Sequence, residues 1–170
     1  MLRIGNDPWA GCTLTARRKS FGGLKKGASV NHEHYPDQAL RSLLASVKII
    51  AVVGASANSA RPVHGVMAYL LRAGYRVVPV NPGQAGREIL GQRVYATLAD
   101  IPEPVDLVDI FRRRDALAGV VDEALALDPR PKAIWMQLDL RDDVAAAKAE
   151  AAGLTVVMDR CIRIEHARLL

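Results

Sequence analysis

The stretch Lys48 to Pro82, KIIAVVGASANSARPVHGVMAYLLRAGYRVVPVNP, decides the fold. Ile49 to Val53 is an unbroken apolar and mostly β-branched run, as expected of a strand buried on both faces, and it stops at Gly54. The small residues Gly54, Ala55 and Ser56 let a backbone turn pass close to a phosphate. Pro62 suits the first turn of a helix, where its missing N–H would be unpaired anyway, and Gly74 suits the far end. Arg76 to Val80 then reads as a second buried strand ending at Asn81-Pro82, which completes a strand–helix–strand crossover.

Outward from this unit the same alternation continues. Residues 31 to 48 predict an amphipathic helix leading into the first strand. Asp106 to Phe111 (DLVDIF) predicts a third strand, Asp115 to Leu127 a helix, and Lys132 to Met136 (KAIWM) a fourth strand. Asp142 to Ala152 predicts an alanine-rich helix capped by Gly153, and Leu154 to Met158 a fifth strand. Residues 83 to 104 form an irregular Gly- and Pro-containing connection with room for one short strand at Arg93 to Tyr95. Regular alternation of this kind builds an α/β fold, here a parallel five-stranded sheet with helices on both faces.

Composition narrows the function. Of 170 residues, 50% are hydrophobic, enough for one core. The formal charge of +5 sits entirely in residues 1 to 29, which hold six basic side chains against Asp7, whereas residues 30 to 170 hold 17 of each sign. A folded part that is formally neutral lacks the basic surface and stacking aromatics of a nucleic-acid binder. No apolar run reaches the roughly 20 residues that span a bilayer. Cys12 and Cys161 stand in unrelated contexts without a CxxC pair or metal-ligand spacing, so the expected setting is a reducing cytoplasm and no metal site. Residues 1 to 29 are aperiodic and glycine-rich and read as a disordered extension, with Val30 as an alternative start; their Arg, Ser and Gly content also fits a transit peptide loosely.

Ligands of open parallel sheets bind beyond the carboxyl ends of the strands, where strand order reverses. The residues there are Gly54 to Ser56, Asn81-Pro82, Arg112 to Arg114, Gln137 and Asp159 to Cys161. They are rich in anion partners and contain no catalytic constellation of nucleophile and base or of paired carboxylates. A dinucleotide fingerprint would place glycine two and five residues after Gly54, where this chain has Ser56 and Ser59, and a carboxylate after the second strand, where it has Asn81. An NAD(P)-dependent oxidoreductase is therefore the alternative reading rather than the first.

The combination VGAS, RP, YLLRAGYRVVPVNP, EILGQRVYATLADIP, VDLVDIFR, WMQLD, AGLTVVMDRCI and IEHARL resembles the small CoA-binding proteins. These are free-standing Rossmann-like domains related to the CoA-binding domain of the succinyl-CoA synthetase alpha subunit. The resemblance runs from about Tyr35 to Leu170. It implies non-catalytic binding of coenzyme A or an acyl-CoA across the strand ends, at Gly54, Ala55, Ser56, Arg61, Pro62, Val80, Asn81, Pro82, Phe111, Arg112 and Gln137, with Cys161 and Ile162 at the margin of the site. His64 stands where the motif commonly has a small residue or serine. The phosphohistidine domain of the synthetase has no counterpart in this sequence, so ligase activity is not implied. Arg113 and Arg114 read as solvated surface charges, Cys161 as a packing residue, and His32, His34 and His166 as surface or packing residues. Trp135 reads as core.

Overall fold

The computed structural model describes residues 30–170. The extension expected over residues 1–29 lies outside the described residues. The main sheet contains β1 (Ile49–Val53), β2 (Arg76–Val80), β5 (Leu107–Ile110), β6 (Ala133–Met136) and β7 (Thr155–Val157). All pairings are parallel, in the spatial order β2-β1-β5-β6-β7. The expected five-stranded α/β architecture, Rossmann-like in its layering, is thus observed.

Pro79 lies within β2 without breaking the sheet, because β2 is an edge strand and no inner neighbour needs an N–H on its outer side. That outer side is partly covered by Tyr95, which forms an isolated parallel bridge with Val80. The connection after β2 holds a hairpin in place of the single expected strand: β3 (Glu88–Ile89) pairs antiparallel with β4 (Gln92–Arg93). Leu90 and Gly91 form its two-residue turn with φ of 52° and 72°. Positive φ at both central positions is the type I′ geometry that follows strand twist, and Leu90 accepts it at a steric cost.

Helices cover both faces. On one, α1 (Asp37–Ser46), α2 (Pro62–Arg72) and α5 (Ile162–Leu169) bury Leu40, Leu44, Val63, Val66, Met67, Leu70, Ile162 and Leu169 against Ile50, Val52, Leu107 and Trp135. On the other, α3 (Leu117–Ala126) and α4 (Asp143–Ala151) bury Leu117, Val120, Val121, Ala145 and Ala149 against Val53, Val108, Ile134 and Met136. Gly74 and Gly153, with φ of 92° and 93°, follow α2 and α4 as expected. Helix α5 was not anticipated from the sequence.

The first expected helix is shorter than residues 31 to 48, since Pro36 disfavours a helical conformation at Tyr35 and the chain enters α1 only at Asp37. The preceding segment is tied down instead. The Tyr35 hydroxyl accepts from the Met158 amide at 2.8 Å and lies 2.8 Å from His32 Nδ1, to which it can donate. His32 Nε2 faces Glu150 Oε1 at 3.3 Å, and the His32 side chain is only 8% exposed, so this histidine belongs to the core boundary and not to solvent. His34 is exposed as expected. At the opposite end of the sheet, Asp106 accepts from the Lys48 and Ile49 amides at 2.8 and 3.1 Å and pairs with Lys132 Nζ at 2.9 Å. One carboxylate thereby gathers the starts of three strands. Burial pushes its pKa up, and the bonds from Lys132 and the two amides outweigh that, leaving it below the usual carboxylate value.

Candidate functional site

Strand order reverses between β1 and β5, and the crevice of a doubly wound sheet opens above such a point. A cavity of about 750 Å³ lies there. The loop after β1 contributes Gly54, Ala55, Ser56, Asn58 and Arg61, and the segment after β5 contributes Phe111, Arg112, Arg113, Asp115 and Ala116; Asn81 and Gln84 close the side beneath β2. Seven expected site residues therefore converge: Gly54, Ala55, Ser56, Arg61, Asn81, Phe111 and Arg112.

The glycine loop is held by its neighbours. The Gly54 and Ala55 amides donate to the Val80 carbonyl at 2.9 and 3.3 Å, which occupies two donors that a phosphate-cradling reading would leave open. Asn81 Nδ2 donates to the Ala55 carbonyl at 2.7 Å while its Oδ1 accepts from the Gly83 amide at 2.9 Å. Asn81 is thus a staple between the end of β2 and the loop. The Asn58 amide donates to Ser56 Oγ, and the Asn58 carbonyl accepts from the Arg61 amide, so the loop turns on itself before α2 begins. Arg61 is the N-cap of α2 without a side-chain cap bond, followed by Pro62, and no acidic residue stands in the first turn. The positive end of that helix faces the loop uncompensated.

Arg61 and Arg112 are exposed and have no ion-pair partner among the described residues, whereas Arg113 pairs with Asp115 at 3.3 Å. Arg112 folds back over the loop: its Cδ would lie 3.1 Å from a Cβ on Gly54. Arg113, expected as surface charge, lines the cavity, while Arg114 reaches the Asp139 carbonyl at 3.1 Å and stays outside it. Asn58 and Gln84 also line it; their only sequence signal was a place in the polar segments after β1 and β2.

The remaining candidates lie away from the cavity wall. Val80 and Ile162 are core residues, at 2% and 0% exposure, and their side chains are committed to packing. Pro62 opens α2, and Pro82 opens a single 3-10 turn. Cys161 is half-buried with a free thiol and caps α5. Gln137 is buried and donates to Asp109 Oδ1 at 2.8 Å. Trp135 is core, with its Nε1–H on the Arg160 carbonyl, and His166 packs beside Tyr69, 2.9 Å from its hydroxyl. His64, flagged as a departure, is half-buried on the first turn of α2.

The chain is similar to known proteins in sequence and fold. The uncharacterized protein YneT of Bacillus subtilis is 38% identical over 128 residues, 75% of this chain and 92% of that protein. The structure of cell-free ID.343 from Thermus thermophilus is 43% identical with a TM-score of 0.76, covering 80% of this chain and 100% of that one. A hypothetical protein from Pyrococcus horikoshii OT3 is 36% identical with a TM-score of 0.76, covering 84% and 97%. The family model described as CoA binding domain matches residues 48–167, from the residue before β1 into the last helix, and the chain accordingly belongs to the CoA binding domain family.

Proposed function

We propose that residues 30 to 170 form a cytoplasmic domain that binds coenzyme A or an acyl-CoA without transforming it. The observation that carries this reading is the pair of arginines, Arg61 and Arg112, that border the cavity at the β1/β5 crevice without ion-pair partners among the described residues. Two guanidinium groups and the start of α2 supply an anion site suited to a diphosphate. A cavity of about 750 Å³ falls within the usual range for small-molecule and cofactor sites. Asn81 argues against a nicotinamide dinucleotide. It stands where a ribose-binding carboxylate would be, and both its polar side-chain atoms are engaged within the protein.

Thermal unfolding in the presence of CoA, acetyl-CoA, NAD and NADP at equal concentration tests the proposal. A ligand that binds only the folded state stabilises by RT ln(1 + [L]/Kd). CoA or acetyl-CoA is expected to raise Tm while the dinucleotides leave it unchanged. Stabilisation by NAD or NADP alone would reverse the assignment.

A further inference from the structure

We infer that Arg113 and Asp115 form an exchangeable ion pair that reads a phosphomonoester carried by the ligand beyond its diphosphate. Arg113 leaves Asp115 for that phosphate, so the site favours CoA over dephospho-CoA, the same molecule without the 3′-phosphate. The inference rests on the CoA reading for the ligand, and on the placement of three consecutive arginines for the residue that discriminates.

Arg112, Arg113 and Arg114 follow β5 in succession, and each has a different commitment. Arg112 folds over the glycine loop, its Cδ 3.1 Å from the place of a Cβ on Gly54. The Arg114 guanidinium donates to the Asp139 carbonyl at 3.1 Å, outside the cavity. Arg113 lies between them on the cavity wall, and its ion-pair partner among the described residues is Asp115, at 3.3 Å. The two side chains of that pair are 88% and 69% exposed, so neither is fixed by packing. The backbone beneath them is fixed. The Ala116 amide donates to the Arg113 carbonyl at 3.0 Å and closes the short 3-10 turn Arg114–Ala116. A change of partner at Arg113 is therefore a rotation of one side chain over a closed turn.

The charges lining the cavity give the exchange its direction. Arg61, Arg112 and Arg113 line it with a single carboxylate among the described residues, Asp115, which leaves a formal charge of +2. A diphosphate diester carries two negative charges and matches that sum. A phosphomonoester adds a charge of about −1.5 to −2 at neutral pH, and while Arg113 is held by Asp115 no free cation of the cavity is left to meet it. Releasing Arg113 supplies one guanidinium. A charge-assisted bond to phosphate is stronger than an ion pair in open solvent, and the exchange is favourable on that ground. Asp115 remains nearby as a negative charge and limits the gain. Adjacent residues have Cα atoms about 3.8 Å apart, and in CoA the diphosphate and the 3′-phosphate are carried on one ribose. Neighbouring arginines thus serve neighbouring phosphates. A ligand without the monoester leaves the Arg113–Asp115 pair closed and relies on Arg61 and Arg112 alone.

Calorimetric titration of the full chain with CoA and with dephospho-CoA tests this, for the parent and for Arg113→Ala, Asp115→Asn and Arg114→Ala. The parent is expected to bind CoA about fivefold more tightly than dephospho-CoA. Arg113→Ala should abolish that preference, weakening CoA binding and leaving dephospho-CoA binding unchanged. Asp115→Asn frees Arg113 beforehand and should raise the preference above that of the parent. Arg114→Ala should keep the preference of the parent. Equal loss of both ligands in Arg113→Ala would make Arg113 a diphosphate contact and overturn the inference. A preference lost in Arg114→Ala but kept in Arg113→Ala overturns it too, as does one that Asp115→Asn fails to raise. The parent alone also decides: binding both ligands equally overturns this inference and leaves the CoA reading standing, whereas binding neither overturns both.

Discussion

A Cβ placed on Gly54 would sit 2.2 Å from the carbonyl oxygen of Phe111, the residue that directly follows the neighbouring strand β5. The two loops that face each other across the crevice therefore touch through backbone, and Gly54, at φ 92°, leaves no room for any side chain. The glycine serves the approach of two strand ends directly, and the shape of the crevice follows from it. Gly54→Ala is expected to cost roughly 2–4 kcal/mol, combining an unfavourable left-handed conformation with a backbone clash. Urea unfolding checks this; an unchanged midpoint would mean that the loop takes another path.

For Arg61 and Arg112 the expectation is the opposite division between stability and binding. Each is exposed and unpaired among the described residues, so truncation to alanine should leave Tm nearly unchanged. Charge-assisted contacts to a phosphate contribute about 1.5–3 kcal/mol, so each variant should bind CoA roughly 10- to 150-fold more weakly in calorimetric titration. Arg113→Ala should have a smaller effect, because its guanidinium already faces Asp115. Full affinity in both Arg61→Ala and Arg112→Ala would place the diphosphate elsewhere.

The Tyr35 hydroxyl joins the segment before α1 to the end of β7 through the Met158 amide. Tyr35→Phe strands that amide and is expected to destabilise the fold by about 1–3 kcal/mol. A chain shortened to begin at Val30 retains the contact and should match the parent in Tm and CoA affinity. One shortened to begin at Asp37 should melt lower. Equal stability of the two shortened chains would show that the His32–Tyr35 segment contributes nothing.

Leu90→Asn replaces a bulky residue at φ 52° by one that tolerates the left-handed region and makes an Asn-Gly type I′ turn. Leu90 is 38% exposed, so some apolar burial is lost, and the net expectation is a gain of about 0.5–1 kcal/mol. Differential scanning calorimetry would reveal it as a higher Tm; a lower one would mean that the Leu90 side chain matters more to packing than its backbone costs.

Asp109 also shapes stability against pH. Its folded pKa, about 7, lies above the ordinary 3.8, so between those values the folded state holds a proton that the unfolded state releases. Its contribution is therefore fully favourable below pH 3.8, declines as pH rises to 7, and is flat above. The loss is on the order of 4 kcal/mol, at about 1.36 kcal/mol per pKa unit. In denaturant melts at pH 5 and pH 8, Asp109→Asn should lack this decline. An equal pH slope in parent and variant would show that Asp109 is not the titrating group.

The succession of strands along the chain and the position of the glycine turn were legible in the sequence because both are local. Ile49–Val53 and Arg76–Val80 are apolar runs closed by Gly54 and Asn81, and a buried parallel strand leaves that trace whatever its neighbours are. Helix α5 was missed because its sequence, IRIEHARL, alternates charge with apolar residues and buries only Ile162, Glu165 and Leu169; its helical state rests on packing against α1 and α2. Arg113 and Arg114 were indistinguishable as neighbours, and only the turn after β5 sends one to the cavity and the other to the Asp139 carbonyl.

Asp106 and Asp109 mark the same boundary. Within DLVDIF the two acids look alike, three residues apart in one strand-forming segment. The sequence by itself determined that a strand runs there, that it follows a glycine-turn unit, and that the chain is an α/β protein of the CoA-binding type. Only the tertiary structure decided that Asp106 sits at the rim, held ionised by two amides and Lys132, while Asp109 is sealed between β1 and β6 with one oxygen unpartnered. The reason is dielectric: a carboxyl group's charge depends on the water and donors around it, and those come from strands and helices distant in the chain.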